Sequence, residues 1–130
     1  IIEGIAYDIR LNLEGMEQVL QSSIDDIRIF GGGAKSQLSS QIIADVLHKT
    51  VSTASTPEAT ALGAAILAAT SIRLYPSMED AAKKMTRTAS TFNPIPANSK
   101  TYDGLYRLVY RNYYDHLGPL LKNVSEIVGR

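Results

Sequence analysis

Three consecutive glycines, Gly31-Gly32-Gly33, stand between two segments of opposite character. Before them, Ile27-Arg28-Ile29-Phe30 has three β-branched or aromatic residues in four and reads as a short strand. After them, Leu38, Ile42, Ile43, Val46 and Leu47 recur at the helical period, with Ser36 placed to cap the start. Glycine admits positive φ and lets another group approach bare backbone. A helix start just beyond offers unpaired N–H groups and a positive dipole end, which suit an oxygen-rich ligand. The same run also serves as a plain tight turn, so both readings stand at this point. Two familiar glycine loops do not fit. A Walker A loop, G-x-x-x-x-G-K-[ST], meets Ala34 before Lys35-Ser36 and Ile29 at its outer glycine. The dinucleotide fingerprint G-x-G-x-x-G takes Gly31 and Gly33 but meets Ser36 in the third place.

Around this unit the chain alternates helix and strand. Apolar residues at Ile2, Ile5, Ala6, Ile9, Leu13, Met16 and Leu20 predict one amphipathic helix over residues 1–21. Gly4 and Gly15 weaken it by about 1 kcal/mol each; a close-packed face at Gly4 would account for the first. The pattern begins inside the helix, with no N-cap of its own. Thr50-Val51-Ser52-Thr53 reads as a second strand. Thr56-Pro57-Glu58 then opens a helix, with Thr56 as cap, Pro57 lacking an N–H to leave unpaired, and Glu58 complementing the dipole. That Ala-rich helix runs to about Ile72, and its small side chains predict tight packing on the sheet or the first helix.

Strand–helix–strand at this spacing is a right-handed crossover between parallel strands. Thr88 to Phe92 supplies a third strand. Parallel sheets need several strands with helices on both faces, so part of the fold is expected elsewhere. Met78 to Met85 reads as a short helix, and Phe92-Asn93-Pro94-Ile95-Pro96-Ala97-Asn98 as a proline-broken connector. A long last helix follows from about Ser99 to Ile127, with a bend expected at Gly118-Pro119.

Composition narrows the function. Thirteen Lys and Arg balance thirteen Asp and Glu over 130 residues, which argues against a nucleic-acid binder or a polybasic membrane patch. The absence of cysteine excludes disulfides, thiol catalysis and cysteine-ligated zinc, and allows a reducing compartment. No basic region followed by an apolar stretch reads as a signal peptide. The longest small-apolar run, Ala59 to Ala69, falls short of the roughly 20 residues of a membrane helix. His48 and His116 lack metal-ligand spacing.

Tyr102, Tyr106, Tyr110, Tyr113 and Tyr114 fall mostly on one helix face. Such a stripe is either a stacking platform or a packing face with polar tips. Asp103, Arg107, Arg111 and Asp115 follow at i,i+4 steps as a neutralised solvated stripe, which favours packing.

Taken together, Ile29-Phe30-Gly31-Gly32-Gly33-Ala34-Lys35-Ser36, Gln41-Ile42-Ile43-Ala44-Asp45-Val46-Leu47 and Glu58-Ala59-Thr60-Ala61-Leu62-Gly63-Ala64-Ala65 resemble the C-terminal domain of FGGY carbohydrate kinases, most of all xylulokinase-like members. Glu3-Gly4-Ile5-Ala6, Tyr75-Pro76-Ser77 and the stretch from Phe92-Asn93-Pro94 to Tyr102 extend the likeness over nearly the whole chain. The resemblance implies an α/β fold, part of an actin-like ATPase (ribonuclease H-like) domain. It would have a short parallel sheet, covering helices and a long C-terminal helix. Residues 1–130 would be the C-terminal portion of the ATP-side domain.

It also implies transfer of the γ-phosphoryl of ATP to a sugar hydroxyl, of a xylulose-like pentulose or related sugar, in a cytoplasmic enzyme. The adenosine pocket would be Gly31, Gly32, Gly33 and Ala34, with one hydrogen bond from Ser36. The sugar site, phosphate loops, Mg²⁺ site and aspartate base would lie upstream of Ile1, leaving this piece inactive alone. Asp8, Asp25, Asp26, Asp45 and Glu58 have plainer cap and surface roles, and Gln41 is expected to pack or bond locally. A homo-oligomer is compatible with this reading. The rival reading is a non-catalytic helical assembly module. A degenerate nicotinamide-binding domain is disfavoured by Ser36 and by the lack of an acid ending the second strand.

Overall fold

The computed structural model describes residues 1–56 and 58–129, with the backbone alone at Tyr114. The expected helix-opening role of Pro57 and the place of the Tyr114 ring lie outside the described residues.

Helix α1 (Ile2–Leu20) forms where the spacing predicts and buries part of the predicted face, with Ile2 and Ile9 packed against the core. Ala6, Tyr7, Arg10 and Leu13 are buried, whereas Ile5, Met16 and Leu20 are exposed. Close packing does not explain Gly4, because a Cβ there would meet nothing within 4 Å. Strands β1 (Ile27–Ile29) and β2 (Val51–Ala54) are parallel, with Ile27 beside Val51 and Ile29 beside Thr53. Strand β3 (Thr88–Phe92) joins antiparallel on the far side of β2, with a bulge between Thr53 and Ala54.

The crossover is α2 (Gln37–Leu47), and it is the centre of the molecule. Ser40 and residues 42–47 are all buried, since α1, α5 (Pro96–Leu105) and the sheet each lie against it. Asp45, 1% exposed, is the junction. It accepts from Gln41 Nε2 at 2.9 Å, from the Ile95 N–H at 2.7 Å and from Asn98 Nδ2 at 2.9 Å. Three donors on one carboxylate offset its desolvation and tie the start of α5 to α2. The bond from Gln41 to Asp45, one helical turn on, is the local bonding expected of it; Gln41 also donates to the distant Asn93 carbonyl at 2.8 Å.

A second buried charge joins α1 to the C-terminal segment. Arg10 donates to Glu14 at 2.9 Å, to Asp103 at 2.7 Å and to the Val46 carbonyl at 3.2 Å. Its guanidinium carbon sits 4.1 Å from the centre of the Tyr106 ring, in cation–π range. Tyr106 is fully buried and donates to Glu14 at 2.8 Å. Burial and the hydrogen bond to Glu14 push its phenol up to about 12.

The tyrosine stripe is a packing face. Tyr7 meets the rings of Tyr102, Tyr106 and Tyr110 at 6.3, 5.9 and 5.1 Å. Four residues of α-helix turn about 400°, so tyrosines at i, i+4 and i+8 drift round the helix. A π-helical turn at Tyr106–Tyr110 winds more loosely and takes that drift back. This turn, rather than Gly118-Pro119, interrupts the last helix, and α6 (Arg111–Val128) runs through Pro119. Within the charged stripe, Arg107 pairs with Asp103 at 3.0 Å, and Asp103 also reaches inward to Arg10.

The Ala-rich helix α3 (Ala59–Ser71) departs from expectation. It packs on α4 (Met78–Met85), and only its Ala69 is buried. A helix apolar all round has no single face to bury, and such a helix is covered on several sides when its surroundings are complete. Among the described residues no helix is long and apolar enough to cross a membrane.

Candidate functional site

The carboxyl ends of β1 and β2 open into a cleft of about 260 Å³ beside the glycine turn. In open α/β sheets ligands bind at this end of the strands. The chain leaves β1 through Phe30, which is 64% exposed, and enters Gly31 at φ 83°, ψ −165°. Only glycine adopts that conformation without strain. Gly32–Lys35 then form a single 3₁₀ turn, closed by the Ser36 N–H donating to the Gly33 carbonyl at 3.3 Å. A Cβ added at Gly31, Gly32 or Gly33 would meet nothing within 4 Å, so the turn presents bare backbone to open space.

Ser36 caps α2, as its position predicts. Its Oγ accepts from the Ser39 N–H at 3.2 Å, and its carbonyl accepts from the Ser40 N–H at 3.0 Å. The hydroxyl proton stays available to a ligand. Of the predicted nucleotide residues, Gly31 and Ala34 line the cleft, while Gly32, Gly33 and Ser36 are exposed and do not line it.

The opposite wall comes from β2 and the loop after it. Thr53 is buried and donates to the Ser90 carbonyl at 3.4 Å; Ser55 and Thr56 follow. Thr56 Oγ1 accepts from the Glu58 N–H at 3.2 Å, one residue short of α3. These hydroxyls were not singled out from the sequence. The signal for them was available: in a parallel pair, whatever follows the second strand must face whatever follows the first. On the other side of Phe30 a second cleft, about 240 Å³ and largely apolar, runs between the sheet and Leu62 and Ile66 of α3.

No carboxylate among the described residues lines the cleft at the turn. Asp25 accepts from Ser23 and Lys49, and Asp26 pairs with Arg28 at 3.1 Å. Asp45 is spent on the α2–α5 junction. Glu58 stands at the head of α3 without a side-chain capping bond. The described residues hold no group of three or more acids or histidines placed for a metal ion.

The fold is mixed α/β, mostly helical with a small sheet and a long C-terminal helix, and the solved structures it resembles are sugar kinases of the actin-like ATPase fold. The chain belongs to the FGGY family of carbohydrate kinases: the model of that family's C-terminal domain matches residues 1–72. Over 128 residues it is 30% identical to a sugar kinase of Escherichia coli strain K12, covering 98% of this chain and 26% of that protein. It is 36% identical over 116 residues to autoinducer-2 kinase of Enterobacter sp. strain 638, covering 89% of this chain and 22% of that one. Among solved structures, xylulose kinase from Rhodospirillum rubrum superposes with a TM-score of 0.76 at 28% identity, over 92% of this chain and 24% of that chain. The chain thus spans about a quarter of the length of these relatives.

Proposed function

We propose that residues 1–130 are the C-terminal portion of the ATP-side domain of a carbohydrate kinase, and that the adenosine of ATP lies against Gly31, Gly32, Gly33 and Ala34. The observation that carries this is the conformation of Gly31, which turns bare backbone toward a cleft at the carboxyl ends of parallel strands. The cleft is small for a whole nucleotide and suits a nucleoside part. Ser36 donates its hydroxyl proton to the ligand, because its oxygen already serves the Ser39 N–H.

ATP with Mg²⁺ supplies the transferable phosphoryl group; this chain's residues bind and orient the adenosine. No proton transfer or metal ligation is assigned to them, since their carboxylates point elsewhere. The base, the Mg²⁺ ligands and the sugar contacts belong to the rest of a kinase-length polypeptide. The acceptor is a xylulose-like pentulose or related sugar, in keeping with the relatives' names. The cysteine-free composition agrees with a cytoplasmic enzyme.

Titrating ATP into isotopically labelled chain tests the reading: the amides of Gly32 to Ser36 shift. Shifts confined to other regions, or none in a folded sample, refute it. Gly32→Arg adds a side chain where the fold leaves open space, so the variant folds but loses at least about tenfold in ATP affinity. The rival reading, a helical assembly module, draws on the exposed face of α6; under it Gly32→Arg leaves assembly unchanged.

A further inference from the structure

Phe30 leaves most of a large apolar ring in water at the edge of the candidate site. Side chains alternate along β1, and Ile27 and Ile29 pack against the core, so Phe30 falls on the other face of the sheet. It is 64% exposed, directly precedes Gly31, and lines both clefts that open beside the sheet. The chain has only two phenylalanines, and the other, Phe92, also lines the cleft at the glycine turn. Phe92 is half-buried against the core and forms a fixed wall, whereas the Phe30 ring is free to meet a ligand. A single exposed apolar side chain is ordinary on a protein surface. This one borders a cleft whose other walls are bare glycine backbone and hydroxyls.

We infer that Phe30 is the stacking platform for the nucleobase, and that the cleft reads a purine by its flat face rather than by its edge. The phosphoryl donors it accepts are then purine nucleoside triphosphates as a class, GTP as well as ATP. The inference rests on the nucleotide reading of the glycine turn and goes beyond it in base selectivity.

Adenine and guanine present opposite edges. Adenine offers an N6 donor beside an N1 acceptor, and guanine an O6 acceptor beside an N1–H donor. Telling them apart takes fixed donors or acceptors aimed at that edge. The side chains around this cleft are of another kind. No carboxylate among the described residues lines it, so no side chain there accepts selectively from guanine. Ser55, Thr56 and Ser90 bring hydroxyls, which rotate to donate or accept. The Thr53 proton goes to the Ser90 carbonyl, but at 3.4 Å that bond is long and readily exchanged. The Gln37 amide turns over to present either its oxygen or its nitrogen. Lys35, the only charged side chain lining the cleft among the described residues, is a point charge on a flexible stem. The face of the base is different: every base has one, and stacking on an aromatic ring tolerates changes at the edge. A cleft of about 260 Å³ with such walls therefore holds either purine.

The chain has no tryptophan, so Phe30→Trp puts a single indole at the site. Its fluorescence is quenched by ATP and by GTP, with affinities that agree within about tenfold, and is unchanged by inorganic triphosphate. In the otherwise unaltered chain, Phe30→Leu weakens ATP and GTP alike by about five- to hundredfold, read from the amide shifts of Gly32 to Ser36. Phe30→Tyr keeps the ring and restores binding. Position 30 is exposed, so all three variants retain the helical circular dichroism of the wild type. A preference for one purine greater than about tenfold overturns the inference. So does Phe30→Leu binding ATP as tightly as the wild type. Either result, with ATP still shifting Gly32 to Ser36, leaves the nucleotide site standing. ATP and GTP that shift none of those amides refute both readings together.

Discussion

The two ends of α2 are built on opposite principles. At its C-terminal half, around Asp45 and Val46, charge is buried and partnered: Asp45 takes three donors, and Arg10 reaches Glu14, Asp103 and the Val46 carbonyl. Among the described residues only the Tyr7 and Ser99 hydroxyls there are buried without a partner. At its N-terminal end nothing is locked. Gly31–Gly33 face open space, Phe30 is exposed, and the nearest hydroxyls keep bonding capacity to spare. A satisfied polar network gives rigidity but leaves nothing for a ligand, whereas bare backbone on a rigid support can bind. The difference separates scaffold from site without reference to any relative.

Two substitutions test that division directly. Asp45→Ala strands the Ile95 N–H and the Asn98 amide together and leaves Gln41 only its bond to Asn93, and destabilises the fold by about 3 kcal/mol in urea denaturation. Lys35→Ala, on the open side, stays within about 0.5 kcal/mol of wild type. Comparable losses at the two positions would erase the contrast. Gly31→Ala sits between them. An L side chain at φ 83° costs roughly 1–2 kcal/mol, and nucleotide affinity falls as the turn relaxes away from its present shape. An alanine variant with unchanged stability and unchanged ATP binding would remove the glycine turn from the site.

Much of this architecture is written in local pattern. The strand before the glycines, the Ser36 cap, the Met78–Met85 helix and the third strand at Thr88–Phe92 all occur where spacing and capping residues place them. What escaped is non-local. Arg10 lies on the buried face of α1 because Asp103, ninety-three residues away, is there to meet it, and no periodicity records that. The π-helical turn answers to Tyr7 in the same way, and no local signal marks it. At the candidate site the legible part was the glycine turn, a local signal. Thr53, Ser55 and Thr56 became visible only once β2 was set beside β1. The Ala-rich helix misled because small apolar residues fit a tight contact, yet nothing in their order says which surface provides it.

The scaffold half also carries the smallest and most specific effect, a pH dependence. Hydrogen bonds from Arg10 and then Arg107 hold the Asp103 carboxyl below the ordinary carboxylate value. Arg10 itself stays charged: burial works against its charge, but Asp103 and Glu14 outweigh that and raise its pKa. In the unfolded chain Asp103 takes up a proton near 3.8, while in the fold it does so only at lower pH. Its contribution to stability is therefore complete above that value and fades as pH falls from there toward the folded pKa. Glu17 and Asp25 are lowered too and fade in the same direction, so the slope of the wild type alone does not isolate Asp103. The difference between wild type and Asp103→Asn does. The variant is the less stable at neutral pH, and the gap narrows as pH drops below about 4. With the Asp103 side chain 27% exposed, solvent screens the pair and the pH-dependent part of the gap stays within about 1 kcal/mol. Urea midpoints collected across that range measure it. A gap that stays constant with pH would mean that Asp103 acts through its shape and neutral hydrogen bonds, and that the buried charge of Arg10 is held by Glu14 and the Val46 carbonyl instead.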